Sequence, residues 1–224
     1  MPNNPTYSLV FPVFNEEAVL PLLFHRLDRV LADLDGPAEV ILVDDGSTDC
    51  TSIILAARAR DDSRYRYIGL SRNFGQQAAM TAGLDAARGE AVILMDADLQ
   101  DPPEIIHQMI EKWREGYEIV YARRAQRAGE SKFKLATARL FYQLMSKLSS
   151  VEIPQNTGDF RLVDRKALEV FRSMREQDRF VRGMFAWVGF RQYALEFNRE
   201  ERAAGETKWP ISKLVKLEIG RAHV

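Results

Sequence analysis

The stretch AVILMDADLQDPPE, residues 91–104, decides how this chain folds. Its first five residues are apolar without a break, too few for a helix, and follow Gly89 and Glu90. A run of that kind reads as a strand covered on both faces. Asp96 and Asp98 come directly after it, two residues apart, so their carboxylates leave the strand end on the same side. Pro102 and Pro103 then open a helix at its first turn.

The same pattern repeats outward from this stretch. YSLVFPV (7–13), AEVILV (38–43) and YRYIGL (65–70) are earlier strand-like runs, and residues 119–122 make a further one. Between them, Val19, Leu20, Leu23, Leu27, Val30, Leu31 and Leu34 recur at helical spacing within 16–34, and Gly36 and Pro37 stop the helix. Ser47, Thr48 or Asp49 caps a second helix ending near Arg60, and an Ala-rich helix over 76–87 is closed by Gly89. The alternation predicts an α/β fold: a Rossmann-like, mostly parallel sheet flanked by helices and wired by right-handed crossovers.

Ligands of such sheets sit beyond the carboxyl ends of the strands. Four segments meet that edge: PVFNEE (12–17), DDGS (44–47), SRNFG (71–75) and DADLQD (96–101). Any one of them reads equally well as a polar turn. Together, in register, they read as a site. Asp96 and Asp98 are hard oxygen donors suited to Mg2+ or Mn2+ bridging two phosphates, and Gln100 adds an amide oxygen. Asp44 and Asp45 serve either a capped turn, with Gly46 at positive φ, or a nucleoside. Glu104 and His107 fall on the following helix and are not taken as ligands.

Beyond Arg124 the pattern changes. A basic, Gly-containing stretch, RRAQRAGESKFK (123–134), leads into an apolar helix over 133–148, which suits either core or a membrane interface. Then come NTGD (156–159), short strand-like pieces at 160–163 and 193–197, and helices near 165–172 and 179–187. The chain thus divides into a nucleotide-binding half, about 5–124, and an acceptor half, about 125–217.

Composition narrows the classes. Lys and Arg number 31 against 32 Asp and Glu in 224 residues, so nothing global favours nucleic acid. One cysteine, Cys50, excludes a disulfide framework and a cysteine-built zinc site, and the three histidines form no spaced cluster. No run reaches the ~20 apolar residues of a spanning helix. A dinucleotide oxidoreductase lacks its G-x-G-x-x-G fingerprint here. A nucleotidyltransferase would want glycines where PVFNEE has none, and a phosphohydrolase of the haloacid dehalogenase type would carry Asp-x-Asp after its first strand.

PVFNEE, VDDGSTD, RNFGQQAAMTAGLDAARGE and MDADLQDPPE, in that order, resemble the inverting family 2 glycosyltransferases of GT-A fold. NTGDFRLVDR (156–165), RFVRGMFAWVGFRQ (179–192) and RAAGETKWP (202–210) narrow the resemblance to the polyprenyl-phosphate branch, which includes dolichol-phosphate mannosyltransferase and the undecaprenyl-phosphate enzymes. The resemblance implies that Pro12, Val13, Asn15 and Glu16 hold the nucleotide, with Asp45 on the base and Ser47 nearby. Asp96, Asp98 and Gln100 would carry Mg2+ or Mn2+ and the diphosphate, and Asp159 would stand beside the acceptor. Arg124, Lys134, Arg202 and Lys208 would meet the lipid phosphate or the diphosphate, the choice between Arg123 and Arg124 staying open. Phe14 stands where many relatives carry Tyr.

The implied reaction is metal-dependent, inverting transfer from a UDP- or GDP-sugar to undecaprenyl or dolichyl phosphate at the cytoplasmic face of the membrane. The alternative acceptor is a saccharide or protein hydroxyl, for which Asp159 would be an indispensable base. The last residues, EIGRAHV (218–224), resemble a translated sequencing adapter, so a non-native tail is expected there, with membrane helices expected beyond it in the natural chain.

Overall fold

The structure, a computed structural model, describes residues 5–124, 157–174, 176 and 179–198. Lys134, Arg202, Lys208, the apolar segment 133–148 and the tail 218–224 lie outside the described residues. In chain order the elements are β1 (Tyr7–Val13), α1 (Leu20–Asp33), β2 (Ala38–Asp44), α2 (Thr51–Asp61), β3 (Tyr65–Gly69), α3 (Gln76–Ala86) and β4 (Ala91–Leu94). A 3-10 turn (Pro103–Ile105) leads into α4 (Ile106–Arg114) and β5 (Ile119–Arg124). After the undescribed stretch come β6 (Thr157–Asp164), α5 (Arg165–Ser173), α6 (Val181–Trp187) and β7 (Gln192–Phe197). No helix among the described residues is long and apolar enough to cross a membrane.

The seven strands form one sheet in the order β3-β2-β1-β4-β6-β5-β7. All run parallel except β6, which is antiparallel to both its neighbours, β4 and β5. One face packs Leu9, Phe11, Leu42 and Ile93 under α1, α2 and α4; the other packs Val10, Ile41, Val92 and Leu94 under α3, α5 and α6. Strands buried on both sides are continuously apolar for this reason.

Three local expectations are sharpened or corrected. The strand expected at 160–163 is longer, eight residues in mid-sheet, so the two halves of the chain share one sheet. Asp159 and Arg161 disguised it: both are buried, at 7% and 3% exposure, where a charged residue normally marks a surface or a loop. Second, of the three cap candidates only Asp49 serves α2, its Oδ1 accepting the Thr51 N–H at 3.0 Å; the Ser47 and Thr48 hydroxyls bond instead to Asn15 in the loop after β1. Third, α3 ends at Ala86 and Gly89 does not close it: a Cβ there would come within 2.5 Å of the Ser8 nitrogen, so Gly89 lets the chain pass against β1.

Pro12 lies in an inner strand, which normally rejects proline for want of an N–H. Along β1 the bonds alternate sides: the Val13 carbonyl accepts from Asp45 beyond β2, and the Val10 carbonyl from Met95 beyond β4. Pro12 therefore turns its missing N–H toward β4, whose pairing with β1 has already stopped at Val10 and Leu94. The two strands separate there. This is also where the strand order reverses, the place at which open α/β sheets bind ligands.

Candidate active site

On the β1–β2–β3 side, the floor of this crevice is sewn together by loop contacts. Asn15, at φ 53°, donates its N–H to Ser47 Oγ (2.9 Å), and its Oδ1 accepts from the Thr48 N–H (2.7 Å). Glu16 N–H donates to Thr51 Oγ1. Asp45 is buried, its two carboxylate oxygens accepting the backbone N–H groups of Phe74 (2.7 Å) and Gly75 (2.9 Å). Pro12 and Val13 are buried at the end of β1. The residues expected to hold a nucleotide, Pro12, Val13, Asn15, Glu16, Asp45 and Ser47, thus meet along one stretch of the sheet edge.

Beyond β4 the chain turns sharply, with Leu99 at φ 56°, a conformation that branched side chains avoid and that clusters at functional sites. Asp98 Oδ1 accepts the Gln100 N–H at 3.1 Å, and Asp96 Oδ1 accepts from Gln76 Nε2 at 2.7 Å. Burial pushes the pKa of Asp96 up to about 7, helped by the charges of Asp159, Asp98 and Asp101; the Gln76 bond works in the opposite direction. Four carboxylates therefore share one end of the crevice. Among the described residues no three His, Cys, Asp or Glu side chains form a complete metal cage. Asp96 and Asp98 are hard oxygen donors of the kind Mg2+ takes, and two such side chains would leave the rest of its shell to other ligands. Glu104 is turned away, its carboxylate paired with Arg26 of α1.

Asp159 reaches the cluster from β6. Arg182 of α6 donates to its Oδ1 from Nε (3.3 Å) and Nη2 (3.2 Å). Arg161 braces the start of the same strand, donating to the carbonyls of Asp159 and Gly158. Burial lowers the Arg161 pKa to about 10, which Asp159 partly offsets. At the end of β5 successive side chains take opposite sides. Arg123 pairs with Glu196 of β7 at 2.6 Å, whereas Arg124 Nη2 comes 3.8 Å from Asp101 Oδ1 and lies over Gly158, where an added Cβ would sit 3.3 Å from it. Arg124 is the member of the pair that faces the acids.

The sequence reading passed over Gln76, Asp101, Arg161 and Arg182. Gln76 had a signal in its place directly after the third polar loop, and Asp101 in following the Asp-x-Asp pair. The two arginines had none, because only the sheet pairing shows what they neutralise.

Solved structures share this architecture. A mannosyltransferase from Pyrobaculum calidifontis, in complex with GDP-Man and Mn2+, superposes with a TM-score of 0.59 at 21% identity, covering 92% of this chain and 59% of its own. Among curated proteins, an uncharacterized glycosyltransferase of Bacillus subtilis, YkcC, is 50% identical over 95% of this chain and 66% of its own length. A prophage bactoprenol glucosyl transferase homolog of Escherichia coli is 41% identical over 95% of this chain and 69% of its own. The chain thus spans about two thirds of the length of these relatives. The family model for glycosyl transferase family 2 matches residues 8–171, from β1 through most of α5. By that span and by the construction of its sheet edge, the chain belongs to glycosyl transferase family 2.

Proposed function

We propose that this chain transfers a sugar from a nucleotide-sugar donor to the phosphate of a polyprenyl phosphate, with inversion at the anomeric carbon. The observation that carries the reading is the end of β4 beside β6: the pairing of Leu94 with Arg161 brings Asp96 and Asp98 to the same edge as Asp159, which Arg182 holds. The bactoprenol glucosyl transferase name of a 41%-identical relative supports the acceptor class, and the GDP-Man and Mn2+ in a structural neighbour support the donor class and a divalent metal.

In this mechanism the loops after β1 and β2 hold the nucleotide. Asp96 and Asp98, with Gln100 beside them, would hold Mg2+ or Mn2+, and that ion would supply neutralisation of charge on a departing diphosphate. Asp159, restrained by Arg182, orients the acceptor on the opposite side of the sugar. An acceptor phosphate oxygen bonds to the anomeric carbon as the bond to the diphosphate breaks, and that electron pair leaves with the diphosphate. A phosphate dianion needs little help from a base, so positioning and charge stabilisation supply most of the acceleration. Arg124 is placed to meet phosphate oxygens, and Lys134, Arg202 and Lys208 are proposed to join it from the acceptor half, about 125–217. A lipid acceptor puts the reaction at a membrane surface, and the nucleotide-sugar donor favours the cytoplasmic face.

The test is a panel of UDP- and GDP-sugars offered with undecaprenyl or dolichyl phosphate in detergent, scored for lipid-linked sugar. Product from one donor, dependent on Mg2+ or Mn2+, is expected. Transfer only to saccharide or protein hydroxyls would contradict the reading.

A further inference from the structure

The first turn of α3 touches both sides of the site. Gln76 Nε2 donates to Asp96 Oδ1 at 2.7 Å, and the next residue, Gln77, accepts the Val181 N–H on its Oε1 at 2.9 Å. Val181 is the first residue of α6, and Arg182 after it holds Asp159 Oδ1. Asp159 in turn lies near enough to Asp96 for their charges to interact. The path from Asp96 through Gln76, Gln77, Val181 and Arg182 to Asp159 therefore closes on itself.

Neighbouring helix residues point about 100° apart, so one dipeptide can reach two different elements. The α3 end of the path is firmly seated. Ala79, Met80 and Leu84 are buried against the sheet, and Gly83 lies so close to Val10 that an added Cβ would come within 2.3 Å of its Cγ1. Asp45 secures the residues just before Gln76 through the Phe74 and Gly75 amides. The α6 end is weaker: seven residues, with no side-chain cap of its own. The N–H groups of a helix's first turn lack partners within the helix. Gln77 supplies one from outside, and so sets where α6 begins.

We propose that Gln77 is a positioning residue for Asp159, fixing the start of α6 so that Arg182 holds the carboxylate in one orientation, while Gln76 orients Asp96 from the same turn. The inference rests on the reading that Asp159 orients the acceptor. Two carboxylates left to themselves in one crevice would turn apart by repulsion. Misplacement by about 1 Å can cost a hundredfold in rate.

The experiment compares wild type, Gln77→Leu, Gln77→Glu, Arg182→Gln and the Gln77→Leu/Arg182→Gln double variant in transfer to undecaprenyl phosphate. Leucine removes the acceptor for the Val181 N–H and glutamate keeps one. Gln77→Leu should lower kcat over acceptor KM by about tenfold or more, with donor KM and Mn2+ binding, read by electron paramagnetic resonance, unchanged. Gln77→Glu should recover most of the loss, and Gln77→Leu should add little to Arg182→Gln. In parallel, hydrogen exchange should find the Val181 amide protected in wild type and faster in Gln77→Leu. Wild-type acceptor kinetics in Gln77→Leu, equal losses in both Gln77 variants, or unchanged Val181 exchange would overturn the inference. Wild type that makes no lipid-linked sugar would contradict the acceptor reading instead, and the exchange comparison would then decide the Gln77 contact by itself.

Discussion

Asp45 Oδ1 accepts the backbone N–H of Phe74 at 2.7 Å, across 29 residues of sequence. With the Gly75 N–H on its other oxygen, this carboxylate pins the loop after β3 to the end of β2. Bonds from neutral amides to a carboxylate are among the stronger hydrogen bonds, worth about 1.5–3 kcal/mol each. Asp45→Ala should therefore release the loop, raise donor KM by about tenfold or more and lower thermal stability. Donor titration and a melting curve check both effects.

Gly46 makes the same junction from the backbone. Its φ of +68° is strained for any residue with a side chain, and a Cβ there would lie 2.4 Å from the Arg72 carbonyl carbon and 2.6 Å from the Asn73 nitrogen. Backbone atoms cannot swing aside as a flexible side chain can. Gly46→Ala should cost about 1–3 kcal/mol and weaken donor binding with it, as measured by denaturant unfolding and nucleotide titration.

Two aspartates should respond differently. Asp98→Ala is expected to abolish metal-dependent turnover and to weaken Mn2+ binding, whereas Asp159→Asn should slow transfer to a phosphate acceptor without abolishing it. An orienting group leaves residual activity; an essential base does not. Retained activity in Asp98→Ala, or complete loss in Asp159→Asn, would count against these roles.

A separate test concerns stability, far from the chemistry. Glu39 is buried on β2 and receives bonds from Ser8, Arg66 and Arg88. Burial works to raise its pKa, but these donors outweigh it and hold the carboxyl below its ordinary value of 4.5. A depressed acid stabilises the fold above its unfolded pKa, and that contribution is lost as pH falls through the folded value. Glu39→Gln should cost about 1–3 kcal/mol at pH 7, the lower part of the range being favoured because Arg66 and Arg88 are 35% and 57% exposed and can rehydrate. The gap between variant and wild type should narrow below about pH 4.5. Urea melts across pH 3–7 would show it.

The fold up to β5 was legible because its signals are local. Strands such as AEVILV, the turn glycine Gly46 and the Asp96–Asp98 pair announce themselves within a few residues. Strand β6 was legible only at 160–163, because Asp159 and Arg161 put charges where a strand covered on both faces is apolar, and its register against β4 and β5 is a long-range fact. The cap of α2 was legible only as a choice among three: Asp49 takes the Thr51 N–H, whereas Ser47 and Thr48, equally good caps in isolation, are engaged by Asn15 from 32 and 33 residues away. The choice between Arg123 and Arg124 needed the sheet, since adjacent strand residues differ only in the face they take.

The central claim is that the nucleophile is a lipid phosphate. Undecaprenyl phosphate and undecaprenol, the same chain ending in phosphate or in hydroxyl, can be offered side by side with radiolabelled donor and Mn2+ in detergent. The account requires label in the organic phase with the phosphate and none above background with the alcohol. Equal labelling of both lipids, or label carried only by water-soluble saccharide or protein, would contradict it.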